Sequence, residues 1–132
     1  MQKILITGAN GYIGSCLFFF LNKKFKVIGV DKQKSTNKKI FQCNILNEKK
    51  LDSILKKEKP KIVIHLAAQS LVDETINKQK YNKNNVLATN ILLKVMKKNN
   101  INKILFSSTA AVYKQSSKSL TEKSKIKALS TY

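Results

Sequence analysis

The chain has 132 residues, of which 42% are hydrophobic, so it is long enough for one domain with a modest core and too apolar for a disordered chain. Its formal net charge is +19, but all 26 basic residues are lysine and they are scattered, whereas phosphate and base recognition favours arginine. We therefore expect no specific nucleic-acid partner. No apolar run predicts a membrane span and no secretory signal precedes the first strand, so the expected compartment is the cytoplasm.

Two cysteines, Cys16 and Cys43, have neither the spacing of metal ligands nor a Cys-x-x-Cys pattern. In a cytoplasmic protein such residues usually pack as small hydrophobic side chains. We expect both thiols to be buried, and we predict neither a disulfide nor a metal site.

The first third of the chain predicts a strand, a helix and a second strand. Residues 3–7 are apolar at their centre, which is typical of a strand covered on both faces. Residues 26–30 form the second predicted strand, which Asp31 closes before a polar loop at 32–39. The helix is predicted over 12–24, with an inner face that comprises Ile13, Cys16, Leu17, Phe20 and Leu21.

Three of the four glycines in the chain, Gly8, Gly11 and Gly14, lie between the first strand and the first helix. Gly8 allows a tight turn out of the strand, Gly11 allows the backbone to approach a pyrophosphate, and Gly14 allows the helix to pack closely on the sheet. The N–H groups at the start of the helix then face the phosphates. The position of the motif between a strand and a helix predicts a dinucleotide-binding turn.

Asp31 follows the second strand, at the distance from the glycines that dinucleotide-binding folds require. A carboxylate at this position accepts hydrogen bonds from the adenosine ribose hydroxyls and repels a 2′-phosphate, which favours NAD over NADP. Lys32 and Lys34 weaken this preference slightly because a lysine can pair with a 2′-phosphate. We predict that the cofactor is NAD.

The rest of the chain continues the alternation, with strands predicted at 40–43, 61–66 and 103–107 and helices at 46–57 and 82–98. A polar loop is predicted at 114–130. The fold class is therefore α/β, a parallel sheet of about five strands with helices on both faces. The expected inner faces are Leu51, Ile54 and Leu55 in the first of these helices, and Val86, Thr89, Ile91 or Leu92, Leu93 and Met96 in the second.

Several segments resemble the extended short-chain dehydrogenases/reductases that act on nucleotide-sugars. The spacing of Gly8, Gly11 and Gly14 is similar to the TGxxGxxG motif of that family, and residues 65–68 are similar to its HLAA motif. Residues 107–113 read SSTAAVY and resemble the SSTAAVYG of the UDP-glucose 4-epimerases, with Lys114 in place of the glycine. The resemblance covers essentially the whole chain and implies a Rossmann-type fold that binds NAD.

The resemblance implies a set of cofactor contacts along the chain. Asn44 replaces an aspartate that contacts adenine in the family, and an amide oxygen can still accept from the adenine amino group. Ala88 replaces a glycine in a helix start similar to NNVxGT, and His65 is expected to be packed and hydrogen-bonded, without a role in the reaction. The expected contacts are Gly8, Gly11, Tyr12, Ile13, Gly14, Asp31, Lys32, Asn44, Ile45, Leu66, Ala67, Ala68, Ser70, Asn85 and Ser107.

The same resemblance implies two catalytic residues. Tyr132 follows Glu122 at the distance that places the catalytic tyrosine of the epimerases, and Thr109 takes the position of their catalytic serine or threonine. A 4-epimerase oxidises C4 of the sugar, lets the 4-keto intermediate rotate and returns the hydride to the other face. The tyrosine acts as the base, so its pKa must fall from about 10 toward neutrality, and Thr109 would hydrogen-bond the reacting oxygen.

The lysine that follows this tyrosine in the family, and the C-terminal region that binds the nucleotide-sugar, are not in the sequence. We therefore expect residues 1–132 to form an NAD-binding domain truncated at Tyr132. Alone it should be catalytically inert, while the complete enzyme should be a homodimer that takes UDP-glucose and UDP-galactose.

Three alternatives remain open at the level of the sequence. Residues 68–73 resemble the AAQSxVD of nucleotide-sugar 4,6-dehydratases, but those enzymes need an acid and a base after the threonine, where this chain has Ala110 and Ala111. The first alternative is therefore such a dehydratase or another nucleotide-sugar dehydrogenase of the family. The second is a non-catalytic NAD-binding module, and the third is a nucleic-acid binder.

Overall fold

The computed structural model describes residues 2–70, 77–114, 116–117 and 119–127. Its strands are β1 (Lys3–Thr7), β2 (Lys26–Asp31), β3 (Ile40–Gln42), β4 (Ile62–His65) and β5 (Ile104–Phe106). They form one parallel sheet in the order β3-β2-β1-β4-β5, which confirms the predicted Rossmann-type half-sheet of five strands.

Helices cover both faces of this sheet. They are α1 (Tyr12–Leu21), α2 (Glu48–Glu58), α3 (Lys78–Tyr81) and α4 (Ala88–Lys98), and a π-helical segment (Asn82–Leu87) joins α3 to α4 without a break. α2 and α4 pack together on one face, and α1 covers the other. None of the described helices is both long enough and apolar enough to cross a lipid bilayer.

β1 lies at the centre of the sheet and is buried on both faces, as its apolar sequence predicts. Leu5 contributes to the core under α2 and α4, whereas Ile4 and Ile6 contribute to the core under α1. A fully buried aliphatic side chain of this size contributes roughly 1.5–3 kcal/mol to folding. The strand therefore anchors both cores and fixes the turn that follows it.

The predicted inner face of α1 was only partly correct, because Leu17 and Leu21 are partly buried and pack against the core whereas Ile13 is 58% exposed. Phe18 is the buried side chain, at 6% exposure, whereas Phe20 is 63% exposed and Cys16 is also exposed. Every residue from 16 to 21 is apolar, so periodicity could not identify the face. Gly14 determines which face of α1 is buried, because the helix approaches the preceding turn at this glycine. Phe18 lies one turn further along the same face.

α2 confirms its predicted inner face, since Leu51, Ile54 and Leu55 are all buried. The helix begins two residues later than predicted, because the Asn47 side chain caps it by accepting a hydrogen bond from Lys50 N. It ends at Glu58, and the Lys59 that follows has a left-handed backbone with φ of 48°.

The inner face of the last helix was only partly predicted. Leu92 and Met96 are buried as expected, but Val86 and Leu93 are 55% and 43% exposed. The π-helical segment contains Val86 and changes the phase of the residues before Ala88, so the α-helical period does not extend through it. From Ala88 onward, the buried positions are Ala88, Leu92, Val95 and Met96.

β5 forms one edge of the sheet, and its three side chains are exposed. The chain then makes a 3₁₀ turn (Ala110–Val112) and an antiparallel bridge between Tyr113 and Ile126. In the described part of the region predicted as a polar loop, no side chain is buried.

Candidate functional site

A cleft of about 750 Å³ opens at the carboxyl-terminal edge of the sheet, where β1, β2, β4 and β5 end. Open parallel sheets bind ligands at this edge, beside the point where the strand order reverses. Thr109 also lies in the wall of the cleft. Tyr132 lies outside the described residues. Every residue expected to contact the cofactor lines this cleft, namely Gly8, Gly11, Tyr12, Ile13, Gly14, Asp31, Lys32, Asn44, Ile45, Leu66, Ala67, Ala68, Ser70, Asn85 and Ser107.

The glycine turn between β1 and α1 has no room for side chains. Gly8 has φ of +69°, a conformation that L side chains rarely adopt, and a Cβ there would lie 3.0 Å from the Ala67 backbone. A Cβ on Gly14 would lie 2.1 Å from the Gly8 carbonyl oxygen, so this glycine packs against the turn itself as well as opening the helix. Gly11 caps α1 without a side chain, so no capping side chain covers the first N–H groups of the helix, and residues 11–14 line the cleft.

The Asp31 carboxylate is held in place by two main-chain donors. Asn10 N donates to one oxygen and Gln33 N to the other, each at 2.9 Å. A carboxylate oxygen accepts more than one hydrogen bond, so this carboxylate can still receive two ribose hydroxyls. Asn10 and Gln33 were not predicted, because they act through main-chain N–H groups that any residue type except proline supplies. Lys32 lines the cleft beside Asp31.

Residues 43–45 form the end of the cleft beyond Asp31. Cys43 and Ile45 are buried there, which confirms the prediction for Cys43. Burial raises the pKa of the Cys43 thiol, so the group is neutral at pH 7. Asn44 is exposed, and its Oδ1 accepts a hydrogen bond from Leu46 N at 3.0 Å, which fixes the orientation of the amide.

Side chains hold the segment that follows β4, residues 66–69, which lines the opposite side of the cleft. Thr7 Oγ1 accepts hydrogen bonds from Leu66 N and Ala67 N, both at 3.1 Å. The Asn85 amide accepts from Gln69 N at 2.7 Å and donates to Gln69 O at 3.3 Å. Asn85 lies in the π-helical segment, which is the kind of distortion that recurs at functional sites.

His65 is buried at the end of β4, and its two ring nitrogens contact two threonine hydroxyls. Nδ1 lies 2.7 Å from Thr7 Oγ1, and Nε2 lies 3.0 Å from Thr89 Oγ1. Burial lowers the pKa of His65 to about 4, so the ring is neutral at physiological pH. The structure thus confirms the prediction of a packed, hydrogen-bonded histidine. Thr7 and Thr89 were not predicted as its partners, although a histidine on a buried strand requires polar partners, and Gln69 was not predicted at the site either.

Thr109 lies beyond β5, where a hydrogen bond from Ser107 N to His65 O directs the chain into the cleft. Its Oγ1 caps the 3₁₀ turn by accepting from Ala111 N at 3.1 Å, which leaves the hydroxyl hydrogen available as a donor. Ala110 and Ala111 follow and carry no group that could transfer a proton. Within the described ranges, no cluster of His, Cys, Asp and Glu could hold a metal ion.

Comparison with known proteins identifies the family. Residues 4–132 match the model of the NAD dependent epimerase/dehydratase family. A dTDP-D-glucose 4,6-dehydratase from Dictyostelium discoideum is 41% identical over 130 residues, which cover 86% of this chain and 30% of that protein. A UDP-glucose 4-epimerase from Halalkalibacterium halodurans is 40% identical over 120 residues, which cover 85% of this chain and 36% of that protein.

The solved structures agree with the fold. The UDP-glucose 4-epimerase from Bifidobacterium longum, in complex with NAD+ and UDP, superposes with a TM-score of 0.85 at 30% identity. The match covers 96% of this chain and 43% of that one. This chain spans about a third of the length of the two curated relatives. Because the family model matches nearly every residue, the chain belongs to the NAD dependent epimerase/dehydratase family.

Proposed function

We propose that this chain is the NAD-binding domain of an enzyme that epimerises C4 of a UDP-hexose, with UDP-glucose and UDP-galactose as its substrates. The observation that carries the proposal is the convergence on one cleft of all the residues expected to contact NAD, together with Thr109. An epimerase relative and a structural neighbour in complex with NAD+ and UDP support the same assignment.

The residues of the cleft fit a dinucleotide in three places. The glycine turn offers backbone alone at the start of α1, where a pyrophosphate would bind. The fixed carboxylate of Asp31 would hold the adenosine ribose, and its charge would exclude a 2′-phosphate. Ala67 and Ala68 leave space beside the end of β4 for the nicotinamide riboside.

In this proposal, NAD supplies a hydride acceptor and donor at the sugar C4. Thr109 donates its free hydroxyl hydrogen to the reacting oxygen and fixes its position. Tyr132 takes the proton of that oxygen as the base, assisted by a lysine from the rest of the enzyme. We include in the proposal that the complete enzyme is a cytoplasmic homodimer and that its remaining part binds the nucleotide-sugar.

A nucleotide-sugar 4,6-dehydratase is the second candidate, because a dehydratase relative is about as similar to this chain as the epimerase relative is. Elimination of water from C5 and C6 needs an acid and a base near the catalytic threonine. Ala110 and Ala111 occupy the corresponding positions and cannot supply them. This difference favours epimerisation.

Calorimetric titration of the chain with NAD, and with NADP in parallel, tests cofactor binding. We expect saturable NAD binding and weak or no NADP binding. Asp31→Asn removes the negative charge with little change of shape, so NAD affinity should fall roughly 10-fold and most of the discrimination against NADP should disappear. Asp52→Asn is the matched control, because Asp52 lies on α2 outside the cleft and pairs with Lys98.

A well-folded chain that binds neither nucleotide would refute the cofactor assignment. The reaction is tested on a fusion of this chain to the remaining part of the Halalkalibacterium epimerase. Conversion of UDP-galactose to UDP-glucose is expected. Formation of a 4-keto-6-deoxy sugar from dTDP-glucose would favour the dehydratase instead.

A further inference from the structure

Residues 66–69 leave the sheet at the end of β4, and hydrogen bonds from side chains hold them at both ends. Thr7 Oγ1 binds the N–H groups of Leu66 and Ala67, and the Asn85 amide binds both main-chain polar groups of Gln69. One path of hydrogen bonds joins these two attachment points, and it passes through the ring of His65.

The direction of the hydrogen bonds is fixed at the Thr7 end. A hydroxyl has one hydrogen and two acceptor lone pairs. Thr7 Oγ1 already accepts from Leu66 N and Ala67 N, so its own hydrogen must point at His65 Nδ1, 2.7 Å away. Nδ1 is therefore an acceptor and carries no proton.

The same conclusion follows independently from the other end. Thr89 Oγ1 donates its hydrogen to Asn85 O, one turn back along the helix, at 2.5 Å. It can then meet His65 Nε2, at 3.0 Å, only as an acceptor, so Nε2 carries the proton. Both ends of the path require the same neutral Nε2–H tautomer of His65.

We propose that Thr7, His65, Thr89 and Asn85 form a histidine relay that holds residues 66–69 in the shape that accepts NAD, through this one tautomer of His65. The proposal rests on the NAD site proposed above and assigns its four members as positioning residues. None of them takes part in proton transfer to the substrate.

The position of Ala67 explains why small movements of this segment would matter. The main chains of Ala67 and Gly8 lie next to each other without room for a side chain, since a Cβ on Gly8 would lie 3.0 Å from the Ala67 Cα and N. A shift of residues 66–69 toward or away from the glycine turn would therefore change the distance between these two main-chain segments. The histidine relay sets the spacing between the two walls of the cleft that enclose the cofactor.

Thr89→Val and Thr89→Ser test the histidine relay as a matched pair. Valine has the shape of threonine without its hydroxyl, so His65 Nε2–H loses its acceptor, whereas serine keeps the hydroxyl. We expect NAD affinity to fall about 10-fold in the valine variant and to stay within about 3-fold of wild type in the serine variant. Equal affinity of the valine variant and the wild type would overturn the proposal.

The tautomer can be measured directly by ¹⁵N NMR of the wild-type chain, because His65 is its only histidine and its signals need no assignment. The expected result is a protonated Nε2 and an unprotonated Nδ1. A protonated Nδ1 would overturn the proposal even if the valine variant failed to fold.

Hydrogen exchange of the Leu66, Ala67 and Gln69 amides separates the histidine relay from the proposed function. If the wild type does not bind NAD, the cofactor assignment fails, and the exchange rates still decide about the relay. Faster exchange at these amides in the valine variant but not in the serine variant supports it. Unchanged exchange in both variants contradicts it.

Discussion

At the scale of single residues, the cleft depends on positions where a side chain is absent. Gly14 is the strictest of these, because the space that its Cβ would need is occupied by the Gly8 carbonyl group and by Ala9. These are backbone atoms of a turn fixed between β1 and α1, so they cannot move aside as the end of a flexible side chain would.

Gly14→Ala should therefore destabilise the chain and weaken NAD binding together. We expect a loss of roughly 3 kcal/mol in the free energy of unfolding, measured by urea denaturation, as for a strongly overpacked site. Gly11→Ala is the control, since a Cβ there meets its nearest neighbour at 3.2 Å, and it should cost much less. Equal losses for the two variants would show that the close approach at Gly14 has no energetic consequence.

The site could be predicted from sequence wherever the chemistry requires one residue type. Gly8 and Asp31 belong to this class, because only glycine tolerates the turn and only an acid binds the ribose diol while repelling a phosphate. Asn10 and Gln33 were not predicted because they position Asp31 through main-chain N–H groups, which do not depend on the residue type. The partners of His65 are distant in sequence, with Thr7 58 positions away, so only the fold brings them together.

At the scale of helices and strands, the alternation of elements and the parallel sheet were predictable. Strands with largely apolar sequences, most of them separated by helices, have few alternative arrangements. The faces of the helices were predictable only where polar residues mark the outer side. α2 has such residues and was predicted correctly, whereas α1 is apolar over most of its length. The π-helical segment has no sequence signature, so the phase change at Val86 could not be foreseen.

The C-terminus of α2 offers a test at this scale. Lys59 has a left-handed backbone with φ of 48° and ψ of 54°, a conformation that favours glycine after a helix. Lys59→Gly should stabilise the chain by about 1 kcal/mol in chemical denaturation. Lys56→Gly, inside the last turn of the same helix, should cost about 1 kcal/mol. Destabilisation by both substitutions would contradict the assigned conformation of Lys59.

At the scale of the whole molecule, the buried His65 couples stability to pH. His65 has a pKa of about 4 in the folded chain, against 6.5 for an unburied histidine. Its ring contacts Thr7, Thr89 and Phe106, none of which titrates in this range. Asp52, whose pKa is lowered mainly by its hydrogen bond from Lys98, loses its contribution only at more acidic pH, below its ordinary value of 3.8.

The stability of the chain should therefore fall between pH 6.5 and pH 4. In this window the unfolded chain binds a proton at His65 that the folded chain does not, so acidification favours unfolding, whereas above pH 6.5 both forms are neutral. The full effect should be on the order of 3 kcal/mol. Urea denaturation at pH 7 and pH 4.5 measures it, with His65→Gln as the control that should reduce the difference. An equal pH dependence of stability in the His65→Gln variant would show that the carboxylates, and not His65, cause the loss of stability.

The position of β1 between β2 and β4 has a consequence for how the molecule is made. β1 leaves the ribosome before β4 and cannot complete its pairing until residue 65 has been synthesised, and residues 107–109, which also line the cleft, follow later still. At ordinary rates of translation, the delay between the synthesis of β1 and that of residues 107–109 is roughly 5–20 s. During this time the glycine turn lacks the opposite wall of the cleft. A ligand that recognises only the closed cleft can bind only after the chain has folded. The proposed cofactor would therefore slow unfolding and leave the rate of folding unchanged.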